Sequence, residues 1–197
     1  MASSNTEPAE VERVSALAPA YKAGKTGILG PDGNAGVVLE DVPNLVLFQI
    51  ATWADTADQV QAAIKKSTGA VAPGPCRAAD GKDCTVLRIE PLKWWVLGAS
   101  GPEVSAERGA TLDLSHSRTH IRITGDNATD FLNRLLPLDF REQSFPVNAV
   151  ASSVIHHVGV TVWRSSEGYE MFIPRGFALT LWETFVEVAE QFGLEVK

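Results

Sequence analysis

Histidine and cysteine are the side chains here best suited to metal or nucleophilic chemistry, and their spacing argues against both. His116 and His120 stand four apart, the interval at which two imidazoles on one helix face converge on zinc. The residues around them do not read as a helix, however. Arg118 to Thr124 alternates as a strand does, with Thr119, Ile121 and Ile123 on one face and Arg118, His120 and Arg122 on the other. His156 and His157 are adjacent on an expected strand, so they point to opposite faces and cannot share a ligand. Cys76 and Cys84, in GPCRAADGKDC, form no C-x-x-C pair and lack two further ligands at zinc spacing; they read as reduced thiols of a surface loop. Gly24-Lys25-Thr26 ends like a phosphate-binding loop, but Pro19 stands where that loop requires glycine and no strand precedes it. Gly30, Gly33 and Gly36 are misplaced for a dinucleotide fingerprint, and no G-x-S-x-G elbow is present. No catalytic residue, cofactor-binding residue or metal ligand is therefore assigned to this chain.

Recognition chemistry is better represented. Arg118, His120 and Arg122 make a cationic strip on a chain of formal net charge -7. Such a strip docks a carboxylate-rich partner or an anionic ligand, unless it is a plain solvated strand face. Trp94 and Trp95 are consecutive on an expected strand, so one should face in and one out. The outward one reads either as an interface anchor or as a ring covered by the N-terminal segment. These five residues are the candidate partner-docking set. Trp53, Trp163 and Trp182 read as core. Pro174-Arg175-Gly176 precedes the last helix, whose first amides either receive an anion or are simply capped.

The elements that must position these side chains follow from periodicity. The 197 residues, 45% apolar and 21% charged, suit one domain of ordinary size or two tightly packed halves. The acidic balance argues against a nucleic-acid binder, and no run is long enough to cross a membrane. The N-terminus has no apolar segment of a secretory signal, so a cytoplasmic location is expected. Residues 1–41 read as an arm, extended or partly disordered in isolation and ordered to about Ala20 only in an assembly; 42–197 read as the domain. In it, Leu45 to Trp53 predicts a buried strand and Thr56 to Lys66 a helix with a Thr56–Gln59 capping box. Thr85 to Glu90 and Lys93 to Ala99 predict a hairpin. The order then repeats: a strand at Arg118 to Thr124 ended by Gly125, and a helix near Asn127 to Leu136 capped by Asp126. Strands at 150–156, 159–164 and 169–173 follow, with a helix from about Phe177 to Phe192 closed by Gly193 and a final short strand at Leu194 to Val196. The fold class is α+β: two strand-helix-hairpin halves, mixed or antiparallel sheets, and helices packed on one face.

The strings DLSHSRTHIRITG, LPLDF and FIPRGFALTLWE resemble the gamma subunit of heterotetrameric sarcosine oxidase and of related N-methyl amine oxidase or dehydrogenase complexes. The matching residues are Asp113 to His116, Arg118 with Thr119, Ile121 with Arg122, Pro137 to Asp139, Pro174 to Phe177, and Leu181 with Trp182. PLKWWVLG matches the family's Pro-x-x-Trp strand. The similarity is strongest from about Leu87 onward and weak before Val42. Ser117 and Leu136 depart from the expected Gly and Cys. The resemblance implies a fold similar to the folate-binding region of aminomethyltransferases. It implies a subunit of an enzyme that oxidises sarcosine or a related N-methyl amine and passes the methyl carbon to tetrahydrofolate or releases formaldehyde. It also implies that FAD, FMN, NAD, tetrahydrofolate and zinc belong to partner subunits, and that this chain packs on a large alpha subunit with beta and delta chains in the same complex. An independent folate-binding one-carbon module is the competing reading.

Overall fold

The strand expected at Arg118–Thr124 forms over those residues, and the rest of the fold is layered around it. The computed structural model describes residues 13–197. Its elements, in chain order, are β1 (Gly24–Thr26), β2 (Val37–Asp41), β3 (Leu47–Thr52), α1 (Ala57–Thr68), β4 (Ala78–Asp80), β5 (Thr85–Glu90), β6 (Lys93–Leu97), β7 (Gly109–Asp113), β8 (Arg118–Thr124), α2 (Ala128–Leu135), β9 (Val150–Ile155), β10 (Val158–Arg164), β11 (Tyr169–Pro174), α3 (Ala178–Glu190) and β12 (Leu194–Val196). A seven-stranded sheet has the order β1-β12-β2-β8-β11-β10-β9, and a five-stranded sheet the order β4-β5-β6-β3-β7.

The duplication suggested by the sequence is visible in the topology. In the first half the chain runs β3-α1-β4-β5-β6, and those strands lie in the order β4-β5-β6-β3. In the second half β8-α2-β9-β10-β11 gives β9-β10-β11-β8. All these pairings are antiparallel, with β3 returning against β6 and β8 against β11. The two sheets face each other across a layer that includes Leu47, Leu87, Trp95, Trp163 and Phe172. Each half keeps its own helix outside. Val60 and Ile64 of α1 pack with Ile50, Val86, Trp94 and Val96 of the smaller sheet. Phe131 and Leu132 of α2 and Leu181, Trp182 and Phe185 of α3 pack with Val37, Leu39, Ile121, Ile123 and Met171 of the larger. The helices thus cover two outer faces rather than the one expected, because it is the inner sheet faces that meet.

This layering corrects the reading of the tryptophans. Trp94 and Trp95 do point to opposite faces, but both faces of β6 are covered, and the two are 0% and 3% exposed. Neither anchors a surface. Trp53, expected in the core, is instead 55% exposed and donates its indole N–H to Ala106 O at 3.0 Å. His156 and His157 are not on a strand either. They form the two-residue turn between β9 and β10, where Ile155 pairs with Val158 and His156 takes φ 53°.

Neither expected helix cap is made. α1 is entered through a 3-10 turn at Ala54–Thr56, and the Thr56 hydroxyl donates to Arg108 O at 2.8 Å instead of receiving an amide. The residue before α2 is Asn127, not Asp126, and no side chain caps that helix. Gly193 does close the last helix, at φ 72° with its amide on Glu190 O at 3.1 Å. Gly125 ends β8 at φ 104°, and a methyl group there would run into the Gly36 carbonyl oxygen.

Of the arm expected from Met1 to about Ala20, residues 1–12 lie outside the described residues, and residues 13–20 lie within them. The boundary drawn after residue 41 is not a boundary in the packing. β2 lies between β8 and β12, Leu17 is 0% exposed within the α2–α3 core, and Tyr21 stacks on Trp182 at 5.3 Å. The stretch shows little periodicity because β1 and β2 are only 3 and 5 residues long and turn-rich segments separate them.

Candidate functional site

The polar face of β8 looks into the layer between the sheets. Cross-strand register sets His120 beside Phe172 and Arg122 beside Glu170 of β11. The His120 ring stacks on Phe172, with centroids 4.6 Å apart and an interplanar angle of 22°. Phe172 meets Trp95 edge to face at 5.6 Å, and the Trp95 indole N–H donates to Gln49 Oε1 at 3.2 Å. Arg118 lies half-buried over the Trp95 ring at 5.9 Å. Four of the five docking candidates thus share one inter-sheet layer. Trp94 is on the opposite face of β6, with the Arg88 guanidinium 4.9 Å from its ring.

The anchor of this layer is a residue that sequence reasoning missed. Glu170 is 1% exposed. One of its carboxylate oxygens contacts His120 Nε2 at 2.7 Å; the other accepts from Arg122 Nε at 2.8 Å and from Ser165 Oγ at 3.1 Å. Arg122 also reaches the exposed Glu167 at 2.8 Å. Burial pushes the Glu170 carboxyl upward, but the hydrogen bonds and charges of His120 and Arg122 outweigh it and hold the group below the usual carboxylate range. At Arg122 burial likewise opposes the charge, and the bond to Glu170 reverses the sign and raises the guanidinium. A signal was present in the sequence: Glu170 is the one acid in YEMFI, an otherwise apolar strand, and a buried acid requires a partner.

Two clefts flank this layer. One, of about 450 Å³, is lined by His120, Arg122, Glu170, Trp163, Ser165 and Asp80 among others. The other, of about 360 Å³, is lined by Trp95, Arg118, Phe172, Gln49 and Thr161 among others. In the first, three of the roughly four lone-pair sites of the Glu170 carboxylate are already taken by protein donors, and the residue is 1% exposed. The cationic strip is therefore real in its parity but closed over much of its length. His120 is 6% exposed and held by Glu170, Arg122 is neutralised at the cleft mouth, and Arg118 alone of the three has no carboxylate within ion-pair distance among the described residues.

The remaining candidates fall apart in space. His116 is exposed in the turn before β8. Cys76 is an exposed free thiol and Cys84 a half-buried one, its pKa raised by burial. Gly24–Thr26 is a short edge strand with no helix after it, so its amides do not form a phosphate loop. Among the described residues no group of three or more His, Cys, Asp or Glu is placed to share a metal ion, and no helix is long and apolar enough to cross a membrane.

No protein-family model matches the chain. It is 26% identical over 131 residues to a sarcosine oxidase subunit gamma from Corynebacterium sp. strain P-1, covering 62% of each protein. It is 30% identical over 91 residues to the subunit of the same name from Arthrobacter sp., covering 46% of this chain and 45% of the relative. The chain thus matches less than two thirds of the length of these two relatives. Among solved structures it superposes on a chain of the heterotetrameric sarcosine oxidase from Corynebacterium sp. U-96 in complex with pyrrole 2-carboxylate. The TM-score is 0.76 at 21% identity, over 91% of this chain and 96% of that one. It also superposes on the glycine cleavage system aminomethyltransferase T from Bartonella henselae, with TM-score 0.59 at 14% identity over 91% of this chain and 57% of that one. The resemblance read from Asp113–Phe140 and Pro174–Trp182 is thus borne out: in sequence the chain is similar to sarcosine oxidase gamma subunits, and its fold is shared with a chain of that heterotetramer and with part of an aminomethyltransferase.

Proposed function

We propose that this chain is an accessory, structural subunit of a cytoplasmic, flavin-dependent complex of the sarcosine oxidase type. In this reading it packs on a large alpha subunit, with beta and delta chains in the same assembly. The complex oxidises sarcosine or a related N-methyl amine, with the methyl carbon passed to tetrahydrofolate or released as formaldehyde. The observation that carries the reading is the extent of the fold match, which takes in 96% of the sarcosine oxidase chain but 57% of the aminomethyltransferase. FAD, FMN, NAD and zinc fit the residues of this chain poorly, since it offers neither a phosphate loop nor a ligand cluster among the described residues. Partner chains would hold them, together with tetrahydrofolate.

The second reading, a folate-binding one-carbon module, is favoured by the aminomethyltransferase-like fold and by a buried acid beside a cleft. It is opposed by the bonding of that acid. An acid that recognises a ring N–H must present a lone pair to it, and Glu170 is 1% exposed with three of its roughly four lone-pair sites serving His120, Arg122 and Ser165.

Purification of the tagged chain from its native host tests the first reading. Large flavin-carrying chains should co-purify in fixed stoichiometry, and the chain alone should give no saturable tetrahydrofolate signal in calorimetry. Recovery of the chain by itself, with micromolar tetrahydrofolate binding, would replace the subunit reading by the second.

A further inference from the structure

Three guanidinium groups meet where β8 begins. Arg118 opens that strand, Arg175 follows the end of its neighbour β11, and Arg13 approaches from the segment before Leu17; all three line one pocket of about 50 Å³. Each is held by a backbone carbonyl. Arg13 donates to Ser115 O, Arg118 Nη1 to Ser117 O at 3.2 Å, and Arg175 Nη2 to Val14 O at 2.7 Å. A guanidinium has five donors in a planar fork, so most of theirs remain available. No carboxylate of the described residues is within ion-pair distance of any of the three. Among the described residues Asp41 is the only acid lining the pocket, and it accepts the Ser15 hydroxyl.

The pocket wall carries a second, independent mark. Thr119 is 6% exposed, and its hydroxyl, though buried, has no hydrogen-bond partner among the described residues. Buried hydroxyls are normally satisfied, so one left open beside three unneutralised cations points to a ligand with acceptor oxygens. Burial also lowers the pKa of Arg118, as expected of a desolvated cation without a counter-charge.

We propose that this pocket binds an oxyanion group, with the Arg118 and Arg175 forks on its oxygens, Arg13 closing the outer side and the Thr119 hydroxyl donating from the wall. Carboxylate and phosphate present the same paired oxygens to a guanidinium fork. The proposal concerns this chain alone and stands whether or not it is a subunit of a larger enzyme.

The test uses the full chain in amide-resolved NMR titrations with sodium acetate and sodium phosphate, each against sodium chloride at equal ionic strength. Saturable shifts at residues 118, 119 and 175 with acetate alone assign the site to carboxylates; with phosphate alone, or with both, they assign it to phosphates or to oxyanions in general. Thr119→Val removes only a hydroxyl that bonds to none of the described residues, so the fold should persist while oxyanion affinity falls about tenfold. Arg118→Gln and Arg175→Gln should weaken binding at least as much. Absence of any saturable shift beyond chloride overturns the proposal, as does an affinity that survives Thr119→Val and both arginine variants. If an arginine variant fails to fold, Thr119→Val decides.

Discussion

Arg122→Ala separates the two roles open to the cationic strip of β8, docking surface and internal clamp. Removing one partner of a fully buried ion pair costs about 3–5 kcal/mol, because the other charge stays buried without compensation. Glu170 is that other charge, with a side chain 2% exposed, but Arg122 is 30% exposed, and His120 and Ser165 remain on the carboxylate. The expected loss is therefore smaller, about 2–3 kcal/mol. The contact with Glu167, 63% exposed, adds less than about 1 kcal/mol. Arg118→Ala is the control. It gives up one backbone hydrogen bond and a long contact over Trp95, together about 1 kcal/mol or less. Urea unfolding at pH 7, followed by circular dichroism, measures both. The pH dependence adds a signature. The Glu170 carboxyl is held below its ordinary value, so its contribution is fully present above the unfolded carboxyl pKa, about 4.3, and is lost as pH falls through the folded value. The gap between wild type and Arg122→Ala should accordingly narrow below about pH 4. An Arg122→Ala protein within about 0.5 kcal/mol of wild type at pH 7, or no less stable than Arg118→Ala, would refute the clamp and return Arg122 to the solvated or docking face.

Three further outcomes follow from burial. Trp94→Ala, at a side chain 0% exposed in the α1 layer, should cost about 3–5 kcal/mol in urea unfolding; a loss below about 1 kcal/mol would mean the ring is not enclosed. Leu17→Ala should cost about 2–5 kcal/mol by the same measurement, and a neutral result would place that segment outside the core. Cys76 should react with a thiol reagent well before Cys84, since it is exposed while burial raises the Cys84 pKa and withholds its thiolate; mass spectrometry of a time course in which Cys84 labels first would contradict this.

The long, strongly periodic elements were legible. β8, β10, β11 and α3 lie within one or two residues of where alternation and helical spacing put them, and the strand-helix-hairpin order of the halves is the order of the observed duplication. Most short elements were not. β1 and β4 are three residues each, too few to show a period, and β2 becomes a strand only because β8 and β12 supply partners on both sides; β12, equally short, does form at the expected Leu194–Val196. The helix starts misled for a related reason. A Thr or Asp before an apolar run signals a cap only when the chain enters the helix directly, and α1 is entered through a 3-10 turn that spends the Thr56 hydroxyl elsewhere.

The candidate site divides along the same line. Alternation assigns each residue of β8 and β6 to a face, and every assignment of parity held. It does not say what covers a face. In an open sheet the face of Arg118, His120 and Arg122 would meet water; in this fold it meets the sheet of the other half. The seven-stranded sheet is wider than the five-stranded one, and residues of one strand differ in how far they lie under it. His120 is enclosed against Phe172, Arg122 reaches the cleft mouth beside Glu167, and Arg118 emerges at the strand start beside Arg175 and Arg13. Three residues that look equivalent in the sequence thus take three roles: a buried hydrogen-bonding ring, a clamp on a buried acid, and one arm of a cationic pocket. Any partner that this strip recognises must therefore meet Arg118 first, because the charges of the other two are already answered within the chain.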